Sequence, residues 1–218
     1  MKYIIPARKG SKGLKNKNRL LFQHTANSIP SEKSKDVYVT TDDDWIIEKS
    51  KEYSFNYIKR SYELSHDDVS IRHVLEDLVQ KTGIDDDIIM MYLTYPRRTW
   101  EDICNFERFY KAHDNAPAVC KKDVNNHPFL CYYNIDGNKG KKLVEHNLYR
   151  RQDYPVCFEI CHFLFASHVD DLMRLDLNLF CDDTVFYHIE NEKCLDVDTG
   201  TDYDRFMDGL SEKNKDNS

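Results

Sequence analysis

The sequence predicts an α/β protein in which a mainly parallel sheet is covered by helices on both faces. Strand-like and helix-like patterns alternate along most of the 218 residues, and this alternation is typical of parallel strands joined by helices. A near-continuous apolar run at Ile88–Leu93 fits a central strand that is buried on both sides. After Cys120 the pattern changes, and two strand-like runs flank a turn-rich segment. That segment predicts an antiparallel hairpin that leaves the main sheet.

The first half of the chain supplies clear element boundaries. Asp43 is placed to cap a helix that runs from Trp45 to Tyr53. Ser70 precedes apolar residues spaced as on one face of a helix, which therefore covers 71–79. Thr99 and Asp102 have capping-box spacing at the start of another helix. The remaining strands of this half are expected at 2–6, 35–41 and 55–59.

The second half of the chain contains the hairpin and the end of the domain. Strands are expected at Phe129–Tyr133 and Lys142–Glu145, with the turn signature at Asn134–Gly140 between them. We interpret residues 1–210 as a single domain with a hairpin excursion at about 127–150, and we expect 211–218 to be a disordered tail. The later elements are regular structure at 157–166, a short helix at 170–175, a strand at 185–189 and a final helix at 202–210.

Composition excludes several classes of protein. The chain has 31 basic and 38 acidic residues, and a net charge of −7 argues against bulk nucleic-acid binding. No apolar run approaches the ~20 residues of a membrane span, and a loop rich in Lys and Gly follows the first strand where a signal peptide would be apolar. Seven scattered cysteines indicate reduced thiols in a cytoplasmic protein.

A cationic loop after the first strand is the strongest indication of function. The first thirty residues contain seven basic side chains and no acid, and most of these lie in Ala7–Arg19. Glycines let backbone N–H groups turn inward while Lys and Arg converge, which is how proteins hold phosphate. The loop also follows the carboxyl end of the first strand, and open α/β sheets bind ligands beyond the carboxyl ends of their strands. The sequence therefore predicts a small phosphorylated ligand.

Seven motifs in a fixed order identify a family resemblance. The loop reads Arg8-Lys9-Gly10-Ser11-Lys12-Gly13, with Lys17-Asn18 beyond it. The other motifs are Thr40-Thr41-Asp42-Asp43, Arg60-Ser61-x-Glu63-Leu64 with Asp67, Thr94-x-Pro96-x-Arg98-Thr99, His127-Pro128, Arg150-Arg151-Gln152-Asp153 and Asp196-Val197-Asp198-Thr199. From Lys2 to about Phe206 the chain strongly resembles the acylneuraminate cytidylyltransferases, the CMP-sialic acid synthetase family.

The resemblance implies a Rossmann-like nucleotidyltransferase sheet and a reaction. That reaction is the transfer of CMP from CTP to the anomeric hydroxyl of a 2-keto-3-deoxy sugar acid, with release of pyrophosphate. It implies that Arg8, Lys17 and Asp198 are catalytic. The nucleotide-binding residues it implies are Arg8, Gly10, Ser11, Lys12, Asn18 and Arg60. For Arg60, an ion pair with Glu63 or Asp67 is an equal alternative.

The resemblance also implies a metal site, an acceptor site and a dimer. Asp196 and Asp198 are expected to hold Mg²⁺, whose preferred ligands are carboxylates and phosphate oxygens. Arg150, Arg151 and Gln152 are expected to contact the sugar acid, since a guanidinium can clasp a phosphate or a sugar carboxylate. The alternative is that they anchor the excursion by salt bridges. The excursion is expected to reach a second copy of the chain, as in relatives.

Two departures from the family pattern keep the acceptor open. Tyr92 and Leu93 stand where the family usually has Gln-Pro, and 159–162 read Glu-Ile-Cys-His where it usually has Arg-x-Asn-Gly. Glu159 would repel a sugar carboxylate if it faced the site. Two alternatives follow: a nucleotide or sugar binder without activity that descends from the family, and, less favoured, a nucleotide-sugar glycosyltransferase.

Overall fold

The computed structural model describes residues 1–216, with side chains to Ser211. Within that range the chain forms a seven-stranded sheet in the order β3-β2-β1-β4-β8-β5-β9 and a separate β6-β7 hairpin. The strands are β1 (Lys2–Pro6), β2 (Val37–Thr41), β3 (Asn56–Lys59), β4 (Asp87–Met90), β5 (Ala118–Asp123), β6 (Tyr132–Asp136), β7 (Lys139–Lys142), β8 (Phe158–His168) and β9 (Val185–His188).

Helices cover both faces of the sheet. They are α1 (Lys17–Asn27), α2 (Asp44–Glu52), α3 (Ile71–Thr82), α4 (Trp100–Ala112) and α5 (Gly200–Asp216). One apolar cluster joins the sheet to α1, α2, α4 and α5, and includes Phe22, Phe106 and Phe206. A second cluster joins the opposite face to α3 through Leu75 and Leu78. This two-sided burial explains why the central strands are apolar throughout.

Most strand pairings in the sheet are parallel, which confirms the predicted fold class. Strand β1 pairs in parallel with β2 and β4, and β5 pairs in parallel with β9. Strand β8 is antiparallel to both β4 and β5 and therefore joins the two parallel parts. Because β1, β2 and β4 point the same way, the loops that follow them meet at one edge of the sheet.

The predicted helix starts are confirmed by their caps. The Asp43 carboxylate accepts a hydrogen bond from the Trp45 amide at 3.0 Å. The Ser70 hydroxyl accepts one from the Arg72 amide at 3.1 Å. Thr99 and Asp102 form the complete capping box of α4. Each side chain satisfies a backbone donor that has no partner inside its helix.

Some predicted boundaries were wrong. The hairpin turn is shorter than Asn134–Gly140, because Gly137 takes the left-handed conformation (φ 51°) and lets β6 and β7 approach each other closely. The short helix expected at 170–175 is a 3-10 helix at Val169–Arg174. Helix α5 continues past the expected end at Leu210 to Asp216. The last part of the expected tail, 217–218, lies outside the described residues.

The cysteines and the helices of the structure bear on two expectations from composition. All seven cysteines are free thiols, as predicted. Among residues 1–216, every helix is too short or too polar to pass through a bilayer.

Candidate active site

A cavity of about 620 Å³ lies where the loops after β1 and β4 meet the segment that precedes α5. This volume is typical of a small-molecule site. Gly10 belongs to the cationic loop but does not line the cavity. The predicted site residues that do line it are Arg8, Ser11, Lys12, Lys17, Asn18, Arg60, Asp196 and Asp198.

The cationic loop is held in place at both ends. Its start is fixed to the end of β2, where the Lys9 amide donates to Asp42 Oδ1 at 2.5 Å. At its end, Asn18 Nδ2 donates to the Arg8 carbonyl at 2.9 Å, so the loop folds back on itself. The family-motif residue Asn18 thus shapes the loop from the first turn of α1.

The loop meets the acidic pair directly. Lys17 Nζ forms an ion pair with Asp198 Oδ1, although the two residues are 181 positions apart in the chain. Gly13 packs so closely against the Asp198 carbonyl that a Cβ atom at this position would collide with it. The N-terminal cations and the C-terminal acids therefore face one space, as the sequence-based prediction requires.

Asp196 occupies a more buried part of the same wall. Its Oδ2 accepts a hydrogen bond from the Tyr95 hydroxyl at 3.1 Å. Burial raises the pKa of Asp196, the charge of Asp198 adds to the rise, and hydrogen bonds from Thr94 and Tyr95 oppose it. Two carboxylates that line one cavity offer the oxygen ligands that Mg²⁺ prefers.

Two other cations of the loop share a carboxylate of their own. Asp67 forms ion pairs with Arg8 and with Lys12, whose Nζ is 2.5 Å from Asp67 Oδ2. The hydrogen bond from Lys12 lowers the pKa of Asp67, burial opposes this shift, and Arg8 lowers the pKa further. Asp67 therefore holds the two basic side chains toward the cavity.

Arg60 is buried and has no ion pair with either expected carboxylate. Its side chain donates to the Thr40 carbonyl at 2.9 Å, while Asp67 is occupied by the loop cations. Burial lowers the pKa of Arg60 to about 10. The alternative of an ion pair with Glu63 or Asp67 was wrong, and the guanidinium borders the cavity instead.

The predicted acceptor residues do not line the cavity of their own chain. Arg150, Arg151 and Gln152 are exposed on the excursion, and Arg150 makes two hydrogen bonds to Asp153 at 2.9 and 2.8 Å. Glu159 is also outside the cavity and forms an ion pair with Lys122 at 3.3 Å. Its negative charge therefore does not face a ligand in this cavity.

The chain is similar to proteins of a known family. The family model described as "Cytidylyltransferase" matches residues 3–153, more than half of the chain. The chain belongs to the cytidylyltransferase family. The match includes the cationic loop and Arg60 but ends before Asp196 and Asp198. The place of those two carboxylates therefore rests on the structure.

Individual relatives agree with this family. The chain is 29% identical to an N-acylneuraminate cytidylyltransferase of Streptococcus agalactiae serotype V over 92% of its length, and it spans about half (51%) of that relative. It is 24% identical to a CMP-N,N'-diacetyllegionaminic acid synthase of Campylobacter jejuni, covering 91% of this chain and 90% of the relative. Its fold is similar to that of a CMP:2-keto-3-deoxy-manno-octonic acid synthetase, with a TM-score of 0.69 and 14% identity over 97% and 98% of the two chains.

The cytidylyltransferase cavity also contains residues that sequence analysis did not place there. Tyr95 and His162 border it beside Asp196, and the family motifs gave no signal for either side chain. Apolar residues from the segment before α3 and from the start of α3 form another wall of the cavity. The helical spacing of the α3 residues predicts only that they belong to the hydrophobic core. The members of this wall are Leu64, Val69, Ile71 and Val74.

Proposed function

We propose that this chain transfers CMP from CTP to a hydroxyl of a 2-keto-3-deoxy sugar acid and releases pyrophosphate. One observation carries the proposal: the cationic loop and the carboxylates of Asp196 and Asp198 line a single cavity, with Lys17 against Asp198. The names of the relatives support the substrate class, because they refer to N-acylneuraminate, diacetyllegionaminic acid and a 2-keto-3-deoxy octonic acid.

The cations would bind the part of CTP that leaves. Arg8, Lys12 and Lys17 all line the cavity, and they would hold the β- and γ-phosphates there. The acceptor hydroxyl oxygen forms a bond to the α-phosphorus and loses its proton to solvent. The bond from that phosphorus to the oxygen that bridges it to the β-phosphate breaks, and pyrophosphate leaves with that oxygen. Catalysis of this kind depends on alignment and charge stabilisation, which fixed donors supply.

The acidic pair would hold Mg²⁺ at the α-phosphate. Bound Mg²⁺ supplies positive charge that stabilises the phosphoryl oxygens during displacement. Asp196 and Asp198 would provide its carboxylate ligands, and the Tyr95 hydroxyl orients Asp196 through its 3.1 Å hydrogen bond. Lys17, which pairs with Asp198 in the structure, would turn to the triphosphate when CTP binds and leave Asp198 to the metal.

A pyrophosphate-release assay tests the proposal. The purified chain is supplied with Mg²⁺, each of the four nucleoside triphosphates and a panel of 2-keto-3-deoxy sugar acids. We expect release with CTP alone among the nucleotides, and a loss of about 10² to 10³ in turnover for Lys17→Ala. We expect a larger loss for Asp198→Asn, while Asp208→Asn, an exposed acid on α5, serves as the control.

The same assay separates the alternatives. CTP binding without pyrophosphate release across the panel would favour a binder that lacks activity. Release of a free nucleoside diphosphate from a nucleotide sugar would favour a glycosyltransferase. Near-normal turnover of Asp198→Asn in Mg²⁺ would contradict the assignment of the metal ligands.

We also propose that the active form is a homodimer joined through the excursion. Tyr149 is 95% exposed and Val156 is 83% exposed, and apolar side chains this open are typical of an interface. Arg150, Arg151 and Gln152 lie on the same excursion and away from their own cavity. A second copy would place them at a partner's acceptor site.

Complementation between two inactive variants tests the dimer. Asp198→Asn damages the cavity and Arg151→Ala damages the excursion of another copy. If the excursion acts across the interface, a mixture of the two variants regains activity that neither has alone. The mixed dimer then contains one intact site and one site that carries both substitutions. A monomer by analytical ultracentrifugation, or no gain on mixing, would contradict this arrangement.

A further inference from the structure

Two aromatic side chains form the cavity wall next to Asp196. Tyr92 follows β4 and His162 lies on β8, and their rings meet edge to face with centroids 5.9 Å apart. Buried Arg98 ties the two segments together, because its guanidinium donates to the Tyr92 carbonyl at 2.9 Å and to the Phe163 carbonyl at 2.8 Å. This wall is therefore rigid, which suits a surface that recognises a ligand.

His162 presents a hydrogen-bond donor to the cavity. Its Nδ1 is shut off from solvent and has no hydrogen-bond partner among the described residues. Burial lowers the pKa of His162, and the charge of Asp196 opposes this shift. A buried N–H without an acceptor is costlier than a bare acceptor nitrogen. The hydrogen is accordingly assigned to Nε2, the nitrogen on the cavity side.

Tyr92 adds a second donor beside it. The residue borders the cavity, and burial raises the pKa of its hydroxyl to about 12 although the charge of Arg60 opposes the rise. The hydroxyl therefore keeps its proton at neutral pH. Together the wall offers an O–H and an N–H group to one ligand.

The position of the wall points to the acceptor rather than to the pyrophosphate. Lys17 stands beside Asp198, and His162 stands on the Asp196 side of the acidic pair. In phosphoryl transfer the attacking and leaving oxygens lie roughly in line on opposite sides of the phosphorus. If the leaving pyrophosphate is on the Lys17 side, the attacking hydroxyl enters from the His162 side.

We propose that Tyr92 and His162 select the acceptor by donating hydrogen bonds to an oxygen of the sugar acid. The inference rests on the proposed function and assigns the substrate-facing side chains of its site. Both residues lie in the segments where the sequence departs from the family pattern. The oxygen belongs either to an N-acyl carbonyl or to a group that all sugar acids share.

Three substitutions test these contacts. Tyr92→Phe removes only the hydroxyl. His162→Gln keeps an N–H near the position of Nε2, whereas His162→Asn places its amide near Nδ1 and leaves the cavity without a donor. We expect the KM for the sugar acid to rise roughly 3- to 30-fold in Tyr92→Phe and His162→Asn, the effect of losing one hydrogen bond. His162→Gln should stay near the wild-type value, and the KM for CTP should change less than twofold in all three.

The acceptor panel and thermal unfolding complete the experiment. A KM effect confined to N-acylated sugar acids assigns the oxygen to the acyl group, and an equal effect on acceptors without that group assigns it to a shared carboxylate or hydroxyl. A rise in the KM for CTP instead, an unchanged acceptor KM in variants with wild-type melting temperature, or equal losses in His162→Gln and His162→Asn would each overturn the inference. If these variants behave so while the wild type releases pyrophosphate, only this inference fails. A wild-type chain that is inactive with every acceptor contradicts the proposed function as well.

Discussion

Replacing Gly13 by alanine should damage the reaction without disturbing the fold. The added Cβ would collide with the Asp198 carbonyl oxygen, a backbone atom that cannot rotate away. The backbone of Gly13 is not in the left-handed conformation, so an alanine at this position adds no backbone strain. The added Cβ atom is therefore the only source of the steric effect. The cationic loop must therefore withdraw from the acidic pair.

The size of the effect depends on how far the loop must move from Asp198 to relieve the collision. Ordinary contact between nonbonded heavy atoms lies at about 3.5–4.0 Å, so the loop and Asp198 must separate by about 1 Å. A misplacement of about 1 Å in a catalytic site can cost about 10²-fold in rate, equivalent to about 2.7 kcal/mol of transition-state stabilisation. We expect kcat/KM for pyrophosphate release to fall by that factor in Gly13→Ala.

Gly200→Ala provides the matched control. Gly200 begins α5 two positions after Asp198, and nothing lies within 4 Å of the Cβ that alanine would add. This variant should keep wild-type kcat/KM, and both variants should melt close to the wild-type temperature. If Gly13→Ala retains kcat/KM within threefold of wild type, the close contact between loop and acidic pair is not needed for the reaction and the reasoning is refuted.

Three further predictions concern stability. Arg98→Met should lower the free energy of unfolding in urea by about 3–5 kcal/mol, because it leaves two buried carbonyls without a charged donor; a loss below 1 kcal/mol would contradict this. Ser70→Ala should cost about 1 kcal/mol through loss of the α3 cap, and unchanged stability would show that the cap is dispensable. Asp43→Asn should melt below wild type at pH 7. Burial raises the pKa of Asp43, but hydrogen bonds from Arg19 and the Trp45 amide outweigh burial and hold this pKa below 3.8. The difference in melting temperature should therefore vanish as the pH falls through the pKa of Asp43. A difference that persists at lower pH would be evidence against the ion pair.

The parts of the fold that the sequence predicted are those with local causes. The helix that begins at Ile71 has apolar residues at helical spacing and a serine cap immediately before it, and the structure contains both. The hairpin was recognised from its turn residues, but its register was not. Register depends on which residue takes the left-handed conformation, and here that residue is Gly137.

Local sequence patterns predict only part of the candidate site. The glycine loop and the two late carboxylates were visible because each is a compact motif, and the family order linked them. The contact between Lys17 and Asp198 spans 181 positions and depends on how distant segments pack together, so no local pattern specifies it. The hydroxyl of Tyr95 and the ring of His162 reach the cavity by side-chain direction, which no spacing rule specifies.

The ion pairs of the site have a consequence for how ligands enter it. Asp67 and Asp198 already neutralise the loop cations, so a triphosphate has to replace the protein's own carboxylates as their partner. Once a phosphate takes Lys17, Asp198 is released to coordinate a divalent ion. We therefore expect nucleotide and Mg²⁺ to increase each other's affinity by the same factor, as thermodynamic linkage requires. Free phosphate, which brings no metal to occupy the displaced acid, should bind weakly.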